Sequence, residues 1–233
     1  RTSITYIKNM MLTKEEIDSL DVGIAQMPEI YYQYCAELKN RGLMDYDDQM
    51  SYALTILNSY PSVLKYFQEK YRYICVDESQ DTSKIQHTII RLLAQKHGNI
   101  FMVGDEDQSI YGFRAAYPDA LMNFSNDYPD ARVLLIEQNY RSTNEIVAAA
   151  NAFVSKNRFR YKKSIIQTRG NGLPVQVIDA IDRAVQYKYL FAVAQTCECE
   201  TAVLFRNNDS ALPLIDMLER NGISYNCRQF DGA

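Results

Sequence analysis

Two short stretches of this chain concentrate the residue types that handle phosphate chemistry. The first, Tyr73-Ile-Cys-Val-Asp77-Glu78-Ser-Gln80-Asp81-Thr82, is an apolar run that ends in adjacent carboxylates. The second, Val103-Gly-Asp-Glu-Asp-Gln108-Ser-Ile-Tyr111-Gly-Phe113-Arg114, carries three acids and a glutamine into a loop with two aromatic rings. At a strand end one carboxylate can ligate Mg²⁺, directly or through water, while its neighbour orients or deprotonates an attacking water. Asp77 suits the metal and Glu78 the base. Gln80 and Asp81 add polar groups in the same turn, and the 104–108 loop adds more. So many polar groups at neighbouring strand ends are unfavourable without a ligand, and together they read as a nucleotide site.

Tyr111, Phe113 and Arg114 admit two readings. Exposed rings beside such a loop can stack on nucleic-acid bases, with Arg114 on a phosphate or carboxylate; equally, both rings can pack beneath the loop. Gln138-Asn-Tyr140-Arg141-Ser142 follows an apolar run at 132–136. The permanently charged guanidinium of Arg141 could reach a γ-phosphate and spread its developing charge. Alternatively the segment caps a helix through Ser142 or Asn144.

Alternating strands and helices are needed to place these groups. Residues 13–70 read as helical: Thr13-Lys-Glu-Glu16 forms a capping-box pattern, Pro28 opens a helix that Gly42 stops, and Asp45 to Asp48 cap another. Tyr31, Tyr34 and Tyr52, on the apolar faces of these helices, are expected in the core. From Arg72 the pattern becomes strand 72–77, helix 83–97, strand 99–104, helix 117–126, strand 132–136 and helix 144–155. A second alternation follows Pro174, with strands at 175–179, 201–205 and 223–226 and helices at 181–195 and 210–221. Such alternation implies an α/β fold with a mostly parallel sheet, whose ligands sit at the carboxyl ends of strands, where Asp77, Glu78 and Asp105 fall.

Composition bounds the function. The 233 residues are 47% hydrophobic and 23% charged, which excludes a disordered or fibrous chain. No apolar run approaches the ~20 residues of a membrane span, and the expected location is the cytoplasm. Five cysteines at irregular spacing do not form a disulfide framework, and Cys197-Glu-Cys199 lacks nearby histidines to complete a zinc site. The net charge of −4 argues against binding nucleic acid through bulk positive potential but leaves room for a local groove. Basic residues do cluster at Lys156, Arg158, Arg160, Lys162, Lys163 and Arg169, where a solvated connector is expected.

VDESQDT, VGDEDQSIYGFRAA and IEQNYRS, in this order and spacing, resemble motifs II, III and IV of the UvrD/Rep/PcrA group of superfamily 1 DNA helicases. The flanks Leu43-Met-Asp-Tyr-Asp-Asp48 and Thr201 to Ser210 resemble the group's adjoining segments, so the similarity covers most of the chain. The resemblance implies ATP and Mg²⁺ as cofactors, with Asp77 holding the metal, Glu78 as catalytic base, Gln108 sensing the γ-phosphate, Arg141 contacting it and Tyr140 lying against adenine. It implies single-stranded DNA and single-strand/duplex junctions as partners, with Tyr111 and Phe113 stacking on bases beside Arg114 during 3′-to-5′ movement. It also implies a partial RecA-like P-loop NTPase motor, its parallel sheet covered by helices on both faces. On this division 1–70 is a helical insertion with lead-in helices, 71–155 the latter part of a first RecA-like domain, 156–173 a connector and 174–233 the start of a second.

Three departures from the group's pattern matter. Phe113 stands where many relatives have Trp, and Ala115 where Gly is usual, which would strain the loop by about 1 kcal/mol if that position needs positive φ. No Gly in the sequence is followed by Lys, so no G-x-x-x-x-G-K-[ST] phosphate loop is present. The chain is therefore expected to be an internal piece of a helicase, inactive alone and partnered by the remainder of that protein. A motor piece of a RecB/AddA-like helicase-nuclease, or a module that binds single-stranded DNA or a partner without hydrolysis, are the competing readings.

Overall fold

The computed structural model describes residues 2–112 and 115–227, so Phe113 and Arg114 lie outside the described residues. The chain divides into two compact units, Arg1–Leu173 and Pro174–Ala233. The first begins with five helices: α1 (Thr2–Asn9), α2 (Lys14–Asp18), α3 (Met27–Asn40), α4 (Tyr46–Ser59) and α5 (Pro61–Lys70). The capping box expected of Thr13 with Glu16 forms, and the cap expected at Asp45 to Asp48 is also a capping box, Asp45 with Asp48. Pro28 lies in the first turn of α3, and Gly42 follows its end at φ +62. Ile7, Ile17 and Met27 make the core of this region, with Tyr31 packed against it. Tyr52 departs from the expected core position: it is 49% exposed, because Leu57 rather than Tyr52 carries the inward face of α4.

A buried cation joins α1 to α4. The Lys8 ammonium donates to Asp45 at 2.8 Å and Asp48 at 2.6 Å, with its side chain 4% exposed, while Asn9 and Thr5 both donate to Asp47. Burial opposes the Lys8 charge, but the hydrogen bonds and charges of the two acids outweigh it and hold the ammonium well above the usual lysine range. Removing one member of a buried ion pair commonly loses ~3–5 kcal/mol. Here Asp45 and Asp48 keep some water contact, so Lys8→Ala is expected to destabilise the unit by about 2–3 kcal/mol. A urea-denaturation midpoint that falls at constant slope, the shift times the slope equalling that loss, is the check; a loss below about 0.5 kcal/mol would refute it.

Strand β1 (Ile74–Val76) and strand β2 (Ile100–Met102) pair in parallel, Ile74 opposite Ile100 and Val76 opposite Met102. Helix α6 (Lys84–Ala94) crosses between them, capped by Ser83 with Gln86 and followed by Gly98 at φ +64. The ladder continues past the strand ends, with Val103 N–H donating to the Val76 carbonyl and Ser79 N–H to that of Val103. The helix expected at 117–126 is instead two single turns, α7 (Asp119–Met122) and α8 (Phe124–Asp127). The Tyr161 hydroxyl takes the carbonyls of Leu121 and Met122 near the junction.

A second parallel pair joins β3 (Gln138–Asn139) to β4 (Ile166–Gln167), with α9 (Asn144–Val154) between them. The fold is thus mixed α/β with short parallel sheets, in agreement with a partial RecA-like domain. The expected strand at 132–136 does not form; the backbone runs without a ladder partner and pairing starts at Gln138. Likewise 175–179, 201–205 and 223–226 form no strand among the described residues. Alternation marks an extended segment, but a strand also needs a neighbour to take its N–H and C=O groups. Leu134, Ile136, Val177 and Leu204 accordingly remain more than 80% exposed. The second unit contains α10 (Arg183–Thr196), capped by Asp182, and α11 (Leu212–Arg220), whose Leu214 and Leu218 are buried. No helix among the described residues is long and apolar enough to cross a membrane.

Ala115 has φ +65 and is fully buried, so the conditional strain on this loop is present, about 1 kcal/mol relative to glycine.

Candidate active site

The parallel register of β1 and β2 brings the two phosphate-type stretches side by side. Asp77 and Glu78 leave the end of β1 with exposed carboxylates. Glu78 has φ +47 and ψ +43, a left-handed conformation that costs an L-residue roughly 1–2 kcal/mol. The Asp77 carboxylate accepts the Glu78 N–H at 2.9 Å, which favours that turn. Strain of this kind in a non-glycine residue persists where the surroundings over-determine it, often at functional sites.

Gln80 lies beneath them, 1% exposed. Its side-chain N–H₂ donates to Glu78 Oε2 at 2.7 Å, its Oε1 accepts the Asp105 N–H at 3.0 Å, and its backbone carbonyl accepts the Ser109 hydroxyl at 3.2 Å. Gln108 donates to the Asp105 carboxylate at 2.8 Å. A continuous hydrogen-bonded path therefore runs from Glu78 through Gln80 and Asp105 to Gln108. Gly104 makes the close approach possible: a Cβ there would stand 2.8 Å from Gln80 Oε1 and 3.3 Å from its backbone nitrogen. Asp81, in the same turn, has its carboxyl pushed up by burial and by the Glu78 charge.

Asp105, Glu106 and Asp107 gather carboxylate oxygens within 4.8 Å of one another. They meet a cation from the protein itself. The Lys163 ammonium lies against all three, at 3.1 Å from Glu106, 3.3 Å from Asp107 and closer still to Asp105. Arg160 grips Asp107 through two guanidinium nitrogens, at 2.9 and 2.6 Å, and the Tyr161 N–H donates to Glu106 at 3.0 Å. Burial works against the charge on Asp105, yet the hydrogen bonds of Lys163 and Gln108 outweigh it and hold this carboxyl below the usual carboxylate range. Asp107 is held low in the same way, by Arg160 and Lys163 against its burial. For Lys163, burial is outweighed by its bonds to Asp105 and Glu106, and its ammonium titrates above the usual lysine range.

The segment expected to be a solvated connector is thus fastened to the β2 loop at Arg160 and Lys163, whose side chains are only 16% and 10% exposed. Sequence reasoning missed both as loop-holding residues. Their signal was three consecutive acids in one stretch and closely spaced cations in another, without anything to indicate that the two meet.

Gln108, Gln138, Asn139, Asn151 and Lys163 help line a cleft of about 340 Å³, within the size range of small-molecule sites. Tyr140 and Arg141 follow β3 with exposed side chains, and the Asn139 side chain accepts the N–H groups of Arg141 and Ser142 at 2.9 and 2.8 Å. The Arg169 guanidinium donates to the Arg141 carbonyl at 2.8 Å. No hydrogen bond or ion pair among the described residues joins Tyr140 or Arg141 to Asp77 or Glu78. Tyr111 is 36% exposed at the far end of the β2 loop. The structure therefore links Asp77, Glu78 and Gln108 through Gln80.

The chemistry of the donor set fits a hard divalent cation: Asp77 and Glu78 present exposed carboxylate oxygens at one strand end, the ligand type Mg²⁺ prefers.

Comparison with known proteins gives two family matches. Residues 1–129 match the UvrD/REP helicase N-terminal domain, and residues 134–231 match the UvrD-like helicase C-terminal domain. Among curated relatives, the ATP-dependent DNA helicase PcrA of Leuconostoc citreum is 36% identical over 231 residues, covering 95% of this chain and 31% of the relative. The proteins of the same name from Staphylococcus epidermidis and Staphylococcus aureus are 32% and 31% identical, each match covering 96% of this chain and 32% of the relative. The chain spans about a third of the length of these relatives.

Proposed function

The chain belongs to the UvrD/REP helicase family, and we propose that it forms part of an ATP-dependent motor that moves 3′ to 5′ along single-stranded DNA and opens duplex at junctions. The observation that carries this reading is the hydrogen-bonded path from Glu78 to Gln108 across the ends of two parallel strands. It joins a base candidate to a sensor candidate on the loop that continues to Tyr111.

In this reading Asp77 holds Mg²⁺, which when bound neutralises phosphate charge and orients the terminal phosphate. The exposed Glu78 carboxylate accepts a proton from water as that water's oxygen bonds to the γ-phosphorus and the bond to the ADP oxygen breaks. Gln108 meets the γ-phosphate, so its position reports whether the phosphate is present. Arg141 supplies a cation to the same phosphate and Tyr140 a ring to the adenine. Tyr111, with Phe113 and Arg114, meets the DNA strand, where each stacked base contributes about 1–3 kcal/mol. The phosphate-cradling loop would come from the remainder of the helicase, and the 233-residue chain alone is expected to hydrolyse no ATP.

The test is Mg²⁺-dependent ATP hydrolysis with and without a single-stranded oligonucleotide, by the 233-residue chain and by the longer protein carrying it. The expected result is DNA-stimulated turnover in the longer protein only. Absence of ATP hydrolysis from the longer protein would overturn the motor reading; DNA-stimulated hydrolysis by the chain alone would overturn the dependence on a cradle from elsewhere.

A further inference from the structure

The buried amide of Gln80 has a more specific place in this site. We propose that Gln80 is a positioning residue: it aims the Glu78 carboxylate and locks it to the β2 loop, so that the base and the Gln108–Tyr111 segment move as one body. The proposal rests on the reading of Glu78 as the base.

Three features carry it. The amide is almost wholly buried, and both of its ends are used, the N–H₂ end on Glu78 at 2.7 Å and the oxygen end on the Asp105 N–H at 3.0 Å. An acceptor on one side and a donor on the other leave only one orientation of the amide that satisfies both. The Glu78 backbone is itself left-handed, so its side chain leaves the turn at an angle that ordinary strand geometry would not give. A carboxylate on a strained turn and open to solvent has several rotamers available, and the single buried donor from Gln80 selects among them. Finally, the Gln80 carbonyl holds the Ser109 hydroxyl, between Gln108 and Tyr111. One residue therefore touches the base candidate, the backbone of the sensor loop and the start of the segment proposed to meet DNA.

The separation of the two ends gives the experiment its resolving power. Gln80→Glu keeps an oxygen acceptor for the Asp105 N–H but removes the donor to Glu78. Gln80→Leu removes both. Gly104→Ala keeps the glutamine but crowds it, since the added Cβ would stand 2.8 Å from Oε1, with Leu121 Cδ2 at 3.0 Å and the Gln80 nitrogen at 3.3 Å. In the longer ATPase carrying this chain, kcat, KM for ATP and the ratio of turnover with and without oligothymidine are measured for these three variants and for Glu78→Gln, alongside thermal unfolding.

The expected result is a fall in kcat of about 10- to 100-fold for the Gln80 variants, as for a reacting group misplaced by roughly 1 Å, with KM within about twofold of wild type. The oligothymidine stimulation ratio falls with it, and Gly104→Ala follows in the same direction. A residue that merely supported the fold would lower the melting temperature and leave that ratio intact. Inactive Glu78→Gln with Gln80→Glu and Gln80→Leu at wild-type kcat would overturn this proposal and spare the base. Wild-type turnover by Glu78→Gln would overturn the base reading, and the proposal with it. Should Gln80→Glu fail to fold, Gln80→Leu and Gly104→Ala decide by the same criteria.

Discussion

Replacing Glu78 by glutamine is expected to lower DNA-stimulated ATP turnover of the longer protein by about 10²- to 10⁴-fold, the usual contribution of a positioned general base. The substitution is nearly isosteric. Its side-chain oxygen can still accept from the Gln80 N–H₂, which in the native chain reaches Glu78 at 2.7 Å, so the amide below keeps its partner. The left-handed backbone at position 78 is as tolerable to glutamine as to glutamate, and no buried contact is lost because the side chain is exposed. Stability should therefore stay within ~0.5 kcal/mol of wild type, as for other exposed replacements. ATP binding, followed with a fluorescent nucleotide, should survive while turnover vanishes. Turnover within threefold of wild type would show that the base lies elsewhere.

Lys163→Ala is expected to have the largest effect on stability, about 3–5 kcal/mol in the first unit. The ammonium is 10% exposed and faces three carboxylates, two of which, on Glu106 and Asp107, are no more than 7% exposed. Without it Arg160 alone must balance the cluster, and like charges remain crowded where water reaches poorly. The lowered carboxyls of Asp105 and Asp107 set the pH window. Their contribution is full above the unfolded carboxyl value near ~3.9 and disappears as pH falls through the lower folded values. Lys163, held above its ordinary value, keeps its contribution until pH rises through that raised value. The gap in unfolding free energy between wild type and Lys163→Ala should thus be flat from about pH 5 to 9 and narrow in strong acid. A gap that stays constant down to pH 2 would assign the loss to packing of the lysine stem instead.

Local patterns were legible in the sequence where the cause is local. Thr13 with Glu16 and Asp45 with Asp48 cap helices because the partners stand three residues apart. Asp77 and Glu78 could be placed at a strand end because the apolar run before them stops there. Gln108 could be placed beside them because parallel strands joined by one helix expose the same ends. The failures have a common origin in distance along the chain. Lys163 meets Asp105 across 58 residues, and nothing in either segment specifies the other. Gln80 looked like one more polar group in a turn, since its importance lies in being buried, which only packing decides. The runs at 132–136 and 201–205 have strand composition, but composition cannot supply a neighbouring ladder.

The short parallel pair of β3 and β4 has a consequence for Arg141. Its N–H is held by Asn139 and its carbonyl by Arg169, while the guanidinium extends from an exposed side chain. Both polar groups of its main chain are thus already held, so in the proposed role the roughly 1–2 kcal/mol that fixing a residue's main chain requires falls on folding rather than on capture of an anion. What remains to be lost on capture is side-chain freedom, at most ~2 kcal/mol for an arginine. In the proposed role, capture of an anion by Arg141 therefore orders a side chain and leaves the main chain behind it as it is.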